Sequence, residues 1–216
     1  MRRRWPLAAL LAALALWSAD LTAGATREQA LAALADKANA DHRREGAQAL
    51  GETGLMSDLP QLAAALRDGD AIVRDNAESS IWQVWSRSGD PVIDQLFAKG
   101  LEQMNAREGE QAIATFSEII RRKPEFAEGW NKRATVYYLL GEYQKSLADC
   151  DEVMRRNPYH FGALSGYGMI YMQLDQPALA LEYFERALRV NPNLESTRQT
   201  IEMLKTLLIQ RRKDTI

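Results

Sequence analysis

The amino-acid sequence predicts an all-α solenoid, a row of helical hairpins that stack on one another. Three observations support this fold class. Pro124, Pro158 and Pro192 follow one another at intervals of 34 residues, and a weaker pattern recurs before them at an interval of 31 residues. No segment shows the alternation of apolar and polar residues that is typical of a half-buried strand. A repeat period of about 20 to 50 residues is typical of stacked supersecondary units.

Small and large residues recur at fixed positions within the 34-residue repeat. Small residues allow the two helices of one unit to approach closely, and bulky residues fill the space between that unit and the next. Each closing proline ends the preceding helix but fits the first turn of a new one. The aligned sets are Leu96, Trp130 and Leu164; Gly100, Ala134 and Gly168; Ala112, Ser146 and Ala180; and Phe116, Cys150 and Phe184.

This pattern resembles the tetratricopeptide repeat (TPR), a helix-turn-helix unit with a large residue early in helix A, a small residue four positions later, an alanine and an aromatic residue in helix B, and a closing proline. The resemblance implies a right-handed α-solenoid with three TPR units in residues 91–192, at about 91–124, 125–158 and 159–192. Three residues depart from the family pattern. Lys99 and Arg133 replace the usual leucine, and Gly109 replaces the tyrosine that Tyr143 supplies in the second unit.

Residues 1–25 have the pattern of a secretory signal peptide. Residues 2–4 are arginines, residues 7–17 form an apolar run, and residues 23–25 read Ala-Gly-Ala, a typical cleavage site. The apolar run is shorter than the roughly 20 residues that span a bilayer. We therefore predict export to the bacterial periplasm and loss of the signal, with no stable membrane anchor afterwards. The alternatives are a short uncleaved anchor and a chance apolar run.

Residues 26–90 carry the 31-residue pattern. Thr26 and Gln29 are spaced as a capping pair for a first helix that extends to about Ala38. The segments Val73-Arg74 and Ala49-Leu50-Gly51 resemble HEAT repeats, which implies two imperfect HEAT-like units. The recurring residues are Arg43, Leu50, Pro60, Leu62 and Leu66, followed by Arg74, Ile81, Pro91, Ile93 and Phe97.

Local signals place further helix ends. Ser57, Asp70 and Asp90 each precede an apolar periodic run as predicted N-caps, and Pro91 falls in the first turn after Asp90. No flexible linker separates the two repeat patterns at Pro91, so we predict one continuous core. Residues 193–216 are predicted to contain a C-terminal capping helix, with one apolar face that covers the last repeat.

Residue types that perform chemistry are sparse. His42 and His160 are far apart in sequence, and Cys150 has no cysteine partner and occupies a position where other repeats have phenylalanine. Ser165 lacks the glycine and the preceding strand that a nucleophile elbow requires. We therefore predict a non-enzymatic protein without a cofactor or a metal. The formal net charge of −2 lacks the basic excess typical of nucleic-acid binding.

The TPR resemblance implies that a ligand lies along helix A of each unit. The residues there are mainly apolar and aromatic, with several amides, which suits an apolar or amphipathic peptide. Family members that clamp chaperone tails have basic residues or asparagine where this chain has Phe97, Leu101, Gly162 and Gly166, so we do not expect that ligand. The predicted groove comprises Phe97, Leu101, Met104, Asn105, Asn131, Thr135, Tyr138, Leu139, Ser165, Met169, Met172 and Gln173.

The first functional hypothesis is therefore a periplasmic adaptor that binds a segment of an envelope or secretion-type assembly protein. The HEAT-like units also resemble those of bilin lyases, which makes a lyase-type enzyme an alternative. A third hypothesis is self-association into a homo-oligomer through an exposed helix face that contains Trp82 and Trp85. Coverage of the groove by the C-terminal helix is also compatible with the sequence.

Overall fold

The computed structural model describes residues 24–213. Within this range it contains eleven α-helices and one short 3-10 helix at Met56–Asp58, and it contains no strand. The predicted all-α fold is confirmed. The helices are α1 (Arg27–Leu34), α2 (Ala40–Thr53), α3 (Leu59–Ala65), α4 (Ala71–Ser86), α5 (Pro91–Asn105), α6 (Gly109–Arg122), α7 (Ala127–Leu139), α8 (Tyr143–Arg156), α9 (Phe161–Gln173), α10 (Pro177–Val190) and α11 (Glu195–Lys213).

The first helix begins where the sequence predicts but ends earlier. The backbone N–H of Thr26 donates to the side-chain oxygen of Gln29 at 2.8 Å, and the Thr26 hydroxyl accepts the N–H of Gln29 at 3.3 Å. This confirms the predicted capping pair. The helix stops at Leu34 because the Asp36 carboxylate accepts the N–H of Ala38 at 2.9 Å, a local bond that competes with helix continuation.

Two of the three predicted N-caps are confirmed. The carboxylate of Asp70 accepts the N–H of Val73 at 3.1 Å, and that of Asp90 accepts the N–H of Val92 at 2.8 Å. The prediction for Ser57 is wrong, because Ser57 lies inside the 3-10 helix. The neighbouring Asp58 accepts the N–H of Leu55 at 2.8 Å and thereby orders this turn.

The repeat helices pair as hairpins, α5 with α6, α7 with α8 and α9 with α10. The small positions lie against large ones of the same unit, which agrees with the predicted close approach of its two helices. A Cβ placed on Gly100 would lie 2.6 Å from the ring of Phe116, and one placed on Gly168 would lie 2.7 Å from the ring of Phe184. The small residues therefore set how closely each pair of helices packs.

Before the repeats, α1 crosses α2, and both α2 and α3 pack against α4. Leu50 and Ile81, which correspond in the 31-residue pattern, are both buried. The side chains of Arg43 and Arg74 both bond to Asp68, the first through its carboxylate and the second through its backbone oxygen. The HEAT resemblance of this segment stays a prediction.

The N-terminal hairpins contact the repeats through α4, which packs against α7. Phe161 at the start of α9 joins the N-terminal hydrophobic core that contains Val84 and Trp85. The two parts thus share a core, to which the repeats contribute Phe161 of α9 and the partly buried Val190 at the end of α10. At the C-terminus, Ile201 and Leu204 of α11 cover Phe184, as expected of a capping helix.

Candidate functional site

A cavity of about 500 Å³ lies beside α9. The second and third repeats contribute one wall, α4 contributes another, and the start of α11 contributes a third. Its lining is mostly apolar and also carries hydroxyl and amide groups. Glu78 is the only described lining residue that has a charged side chain. The lining residues outside the repeats are Glu78 and Trp82 of α4, and Leu194, Ser196, Thr197 and Thr200 at the start of α11.

Five of the twelve predicted groove residues line this cavity. They are Tyr138, Ser165, Met169, Met172 and Gln173. The two methionines are 43% and 39% exposed, and the Gln173 amide donates to the Tyr138 hydroxyl at 3.5 Å. The structure thus brings the second-unit tyrosine and the third-unit residues together.

The predicted groove residues of the first unit lie elsewhere. Phe97 is buried, with its ring 5.4 Å from that of Phe126, and Leu101 and Met104 pack against the same cluster. Asn105 is exposed at the end of α5.

The remaining predicted residues belong to α7. Asn131 is buried and donates to Glu128 at 3.0 Å, while the Thr135 hydroxyl donates to the Asn131 backbone oxygen at 2.9 Å. Leu139 is exposed in the last turn of α7. None of these side chains lines the cavity described above. The assignment of all twelve residues to a ligand site stays a prediction.

Trp82 of α4 lines the cavity together with Phe161. Its ring meets that of Phe161 edge to face at 5.3 Å, and a Cβ placed on Gly162 would lie 2.7 Å from the ring. Glycine at this position therefore permits the close approach of α4. Sequence analysis missed Glu78 and Trp82 as cavity residues because no repeat spacing connects α4 with α9.

A buried polar group lies behind this wall. His160 and Glu128 are fully buried, and Nε2 of His160 is 2.6 Å from Oε1 of Glu128. Nδ1 of His160 accepts the N–H of Ala163 at 3.0 Å and so caps α9. The ring proton therefore lies on Nε2, which donates to Glu128.

The carboxylate of Glu128 is stabilised in its charged form. Burial by itself opposes ionisation, but His160, the ammonium of Lys132 at 3.4 Å and the Asn131 amide outweigh it and lower the pKa of Glu128 to about 2. The His160 ring also stacks on Trp85 at 4.2 Å. This group therefore fixes the orientation of α4 relative to α7 and α9.

The two tryptophans named for self-association form this internal contact. Trp85 is 3% exposed and Trp82 lies against Phe161 and His160. A second copy of the chain could not reach the buried Trp85 in this arrangement. The expected exposure is therefore wrong for Trp85, whereas Trp82 is half-buried, and self-association of the chain stays a prediction.

The thiol of Cys150 lies in the interior of the repeats. Cys150 is 3% exposed, and burial, together with Asp149 and Asp151, raises the pKa of its thiol to about 12. Between residues 24 and 213, no three His, Cys, Asp or Glu side chains come together as metal ligands. In the same range, no helix has both the length and the apolar character of a membrane span.

Comparison with known proteins agrees with the geometry. Two family models described as tetratricopeptide repeat match residues 97–161 and 163–194. A TPR repeat-containing protein from Rhizobium etli is 32% identical over 147 residues, which are 68% of this chain and 72% of the relative. The Hsp70-Hsp90 organizing protein of Triticum aestivum is 26% identical over 120 residues, 53% of this chain, but the match spans only 21% of its own length.

A solved structure shows the same fold. The first TPR of Spaghetti (RPAP3), bound to the HSP90 peptide SRMEEVD, superposes with a TM-score of 0.52 at 20% identity, covering 54% of this chain and 93% of that one. The period, the packing of small against large residues and these matches lead to one assignment. The chain belongs to the tetratricopeptide repeat family.

Proposed function

We propose that the chain is a non-enzymatic interaction module that holds an apolar peptide segment of a partner protein in the cavity beside α9. The observation that carries this proposal is the presence of two partly exposed methionines, Met169 and Met172, in one cavity with Tyr138. Methionine side chains adapt to irregular apolar surfaces, and tyrosine adds a rigid ring with a polar end. Apolar side chains of a partner would replace the solvent on these residues.

The charge of the cavity restricts the partner. Among the described residues that line the cavity, only Glu78 has a charged side chain. Gly162 and Ser165 contribute no cation. The RPAP3 structure holds an acidic peptide, SRMEEVD. An acidic chain end would meet the Glu78 carboxylate here without a compensating basic group, so the proposed segment is apolar and neutral or basic in its flanks.

The size of the cavity restricts the partner further. About 500 Å³ lies within the range of about 300 to 1,000 Å³ that is typical of sites for small ligands. A cavity of this volume accepts a few side chains of a partner segment and not the length of a helix. This supports recognition of a short extended segment, whose backbone the Gln173 amide and the Ser165 hydroxyl are suited to bond.

The test is site-specific photocrosslinking in intact cells. A photoreactive residue at Gln173 is expected to capture one partner, and Tyr138→Ala with Met172→Ala is expected to reduce capture at least about tenfold, because each removes apolar contact area. Met203→Ala is the matched control, since Met203 is 56% exposed on α11 outside the cavity. Equal capture by all variants would contradict the proposal.

We place this activity in the bacterial periplasm and the partner among envelope or secretion-type assembly proteins, on the basis of the signal-like pattern in residues 1–25. The measurement is the mass of the protein recovered from the periplasm of a bacterial host. Export predicts a chain that has lost residues 1–25. An intact chain found only in the cytoplasm would refute this localisation and would leave the cavity proposal standing.

A further inference from the structure

A second, smaller cavity lies where the end of α4 meets two turns of the repeats. It measures about 140 Å³ and is separate from the cavity beside α9. Trp85 and Arg87 line it from α4 and the residue after it, Lys123 and Phe126 line it from the turn before α7, and Asn157 lines it from the turn before α9. We call it the junction cavity.

Two buried hydrogen-bond donors on residues that line the junction cavity have no partner in residues 24–213. They are Nε1 of Trp85 and Nδ2 of Asn157, and the two residues are 3% and 1% exposed. The orientation of the asparagine follows from its other atom, since Oδ1 accepts the N–H of Tyr159 at 3.1 Å. Buried donors are nearly always bonded in folded proteins. Two of them in one cavity indicate a ligand that accepts two hydrogen bonds.

The next repeat shows which acceptor suits this position. Asn191 lies one 34-residue period after Asn157, and its Oδ1 accepts the N–H of Asn193 at 3.0 Å in the same way. Its Nδ2 donates at 2.9 Å to the carboxylate of Glu78 on α4. At the third repeat, α4 therefore supplies a carboxylate to this amide. At Asn157, α4 supplies Trp85, which can only donate.

The charges around the junction cavity favour an anion. Arg87 donates to the backbone oxygen of Gly54 at 2.7 Å, so its charge is fixed beside the cavity. The Lys123 ammonium lies 3.6 Å from Glu125, whose side chain is 69% exposed and therefore screens it only weakly. The two cations outnumber the one carboxylate in the lining.

We propose that the junction cavity binds a short-chain carboxylate such as acetate or propionate. One or both oxygens accept from Trp85 Nε1 and Asn157 Nδ2, the negative charge faces Lys123, and the apolar tail contacts Phe126. The volume suits this class, because cavities of about 150 Å³ in other proteins hold a benzene-sized molecule. This inference is independent of the partner proposed for the larger cavity.

The experiment follows the indole N–H signal of Trp85 by NMR, assigned with Trp85→Phe, during titration with acetate and propionate at constant ionic strength. A saturable downfield shift is expected, with none for neutral acetamide. Asn157→Asp keeps the acceptor for Tyr159 but replaces the donor by a negative charge, and it is expected to abolish the shift. Lys123→Met is expected to weaken binding about tenfold, whereas the control Lys205→Met leaves it unchanged.

Thermal melting provides a second readout that does not depend on this signal. Propionate is expected to raise the melting temperature of the unsubstituted chain and not that of Trp85→Phe, which retains the ring but lacks the donor. The proposal is overturned if the shift never saturates, if acetamide or chloride reproduces it, or if Asn157→Asp retains it. Binding of phosphate without binding of acetate would also overturn it, because the ligand would then belong to another class of anion.

Discussion

Glu128 is a fully buried carboxylate whose charge depends on three neighbours, His160, Lys132 and Asn131. Burial raises the cost of the charged form, and the neighbours more than offset that cost, so the pKa in the folded chain falls from 4.5 to about 2. A carboxyl group with a lowered pKa stabilises the fold at neutral pH. That contribution is lost as the pH falls from the ordinary pKa of the carboxyl group to its pKa in the folded chain.

This linkage predicts the behaviour of Glu128→Gln. At pH 7 the variant is expected to lose about 1.5 to 3 kcal/mol of unfolding free energy, since the charged hydrogen bond to His160 is replaced by a neutral one. Between pH 4.5 and about 2 the difference from the unsubstituted chain is expected to narrow, because Glu128 takes up a proton in the unfolded chain at a higher pH than in the folded one. Urea unfolding at several pH values measures this. The exposed Glu110→Gln is the control, and a difference that stays constant with pH would contradict the prediction.

Arg133 shows why one departure from the family pattern is tolerated. Its guanidinium donates through two nitrogens to the carboxylate of Asp149, both at 2.8 Å, and lies 5.2 Å from the Trp130 ring. Asp149 is 4% exposed. The leucine that is usual at this position in the family would leave that carboxylate buried without its cation.

We therefore expect Arg133→Leu to lower the unfolding free energy by about 3 to 5 kcal/mol, the usual result of removing one partner of a buried ion pair. The double variant Arg133→Leu with Asp149→Ala is expected to recover most of this loss, because no unpaired charge remains. Urea unfolding of both variants and of Asp149→Ala gives the interaction energy. Additive losses would show that the pair does not act as a unit.

At the scale of helices, the repeat hairpins depend on contacts between glycine and phenylalanine. A Cβ on Gly168 would lie 2.7 Å from the Phe184 ring, which no real Cβ contact allows without a shift. Two residues earlier on the same helix, a Cβ on Gly166 would lie 3.7 Å from the sulfur of Cys150, an ordinary contact. The two glycines thus form a matched pair with opposite expected effects.

Gly168→Ala is expected to destabilise the protein, and Gly168→Leu to do so by about 1 to 3 kcal/mol, as overpacking generally does. Gly166→Ala is expected to be neutral or to stabilise by about 0.5 to 1 kcal/mol, because alanine favours the helix. Thermal melting of the three variants measures the order of their stabilities. Equal melting temperatures for Gly166→Ala and Gly168→Ala would show that the contact with Phe184 does not limit the packing.

The helices of the repeats could be predicted from sequence because their signals are local or periodic. Asp90 and Pro91 mark a helix start in adjacent residues, and Gly168 and Phe184 recur with the repeat. The place of α4 could not be predicted in this way. Its contacts with Phe161 and Asn191 involve residues about 80 to 110 positions away that share no period with it. The cavity wall formed by Glu78 and Trp82 was missed for this reason.

At the scale of the whole molecule, α4 is one of the elements that join the N-terminal hairpins to the repeats. Trp82 contributes ring contacts to Phe161 and His160 and a cation–π contact with Lys132 at 5.7 Å. Trp82→Ala is expected to cost about 3 kcal/mol, as truncation of a packed tryptophan does. Because the lost contacts join two parts, we expect the parts to unfold separately in this variant.

Native-state hydrogen exchange measures this separation. In the unsubstituted chain, the most protected amides of α2 and α8 are expected to share one opening free energy, and Trp82→Ala is expected to lower protection in α2 more than in α8. Ile201→Ala is the control, since Ile201 is 3% exposed and packs in the hydrophobic cluster under α11, which does not include Trp82. Equal loss of protection in both helices of Trp82→Ala would contradict the prediction.

The contacts between the start and the end of the chain have a consequence for synthesis on the ribosome. The Asn193 amide donates to the Leu66 backbone oxygen at 2.8 Å across 127 positions, and Arg67 reaches the backbone oxygen of Val190 at 3.2 Å across 123. At about 5 to 20 residues per second, roughly 6 to 25 seconds pass between emergence of the first partner and the second. During this interval the nascent N-terminal hairpins expose an apolar surface to solvent. A holdase chaperone that binds during translation therefore protects the chain most at that stage.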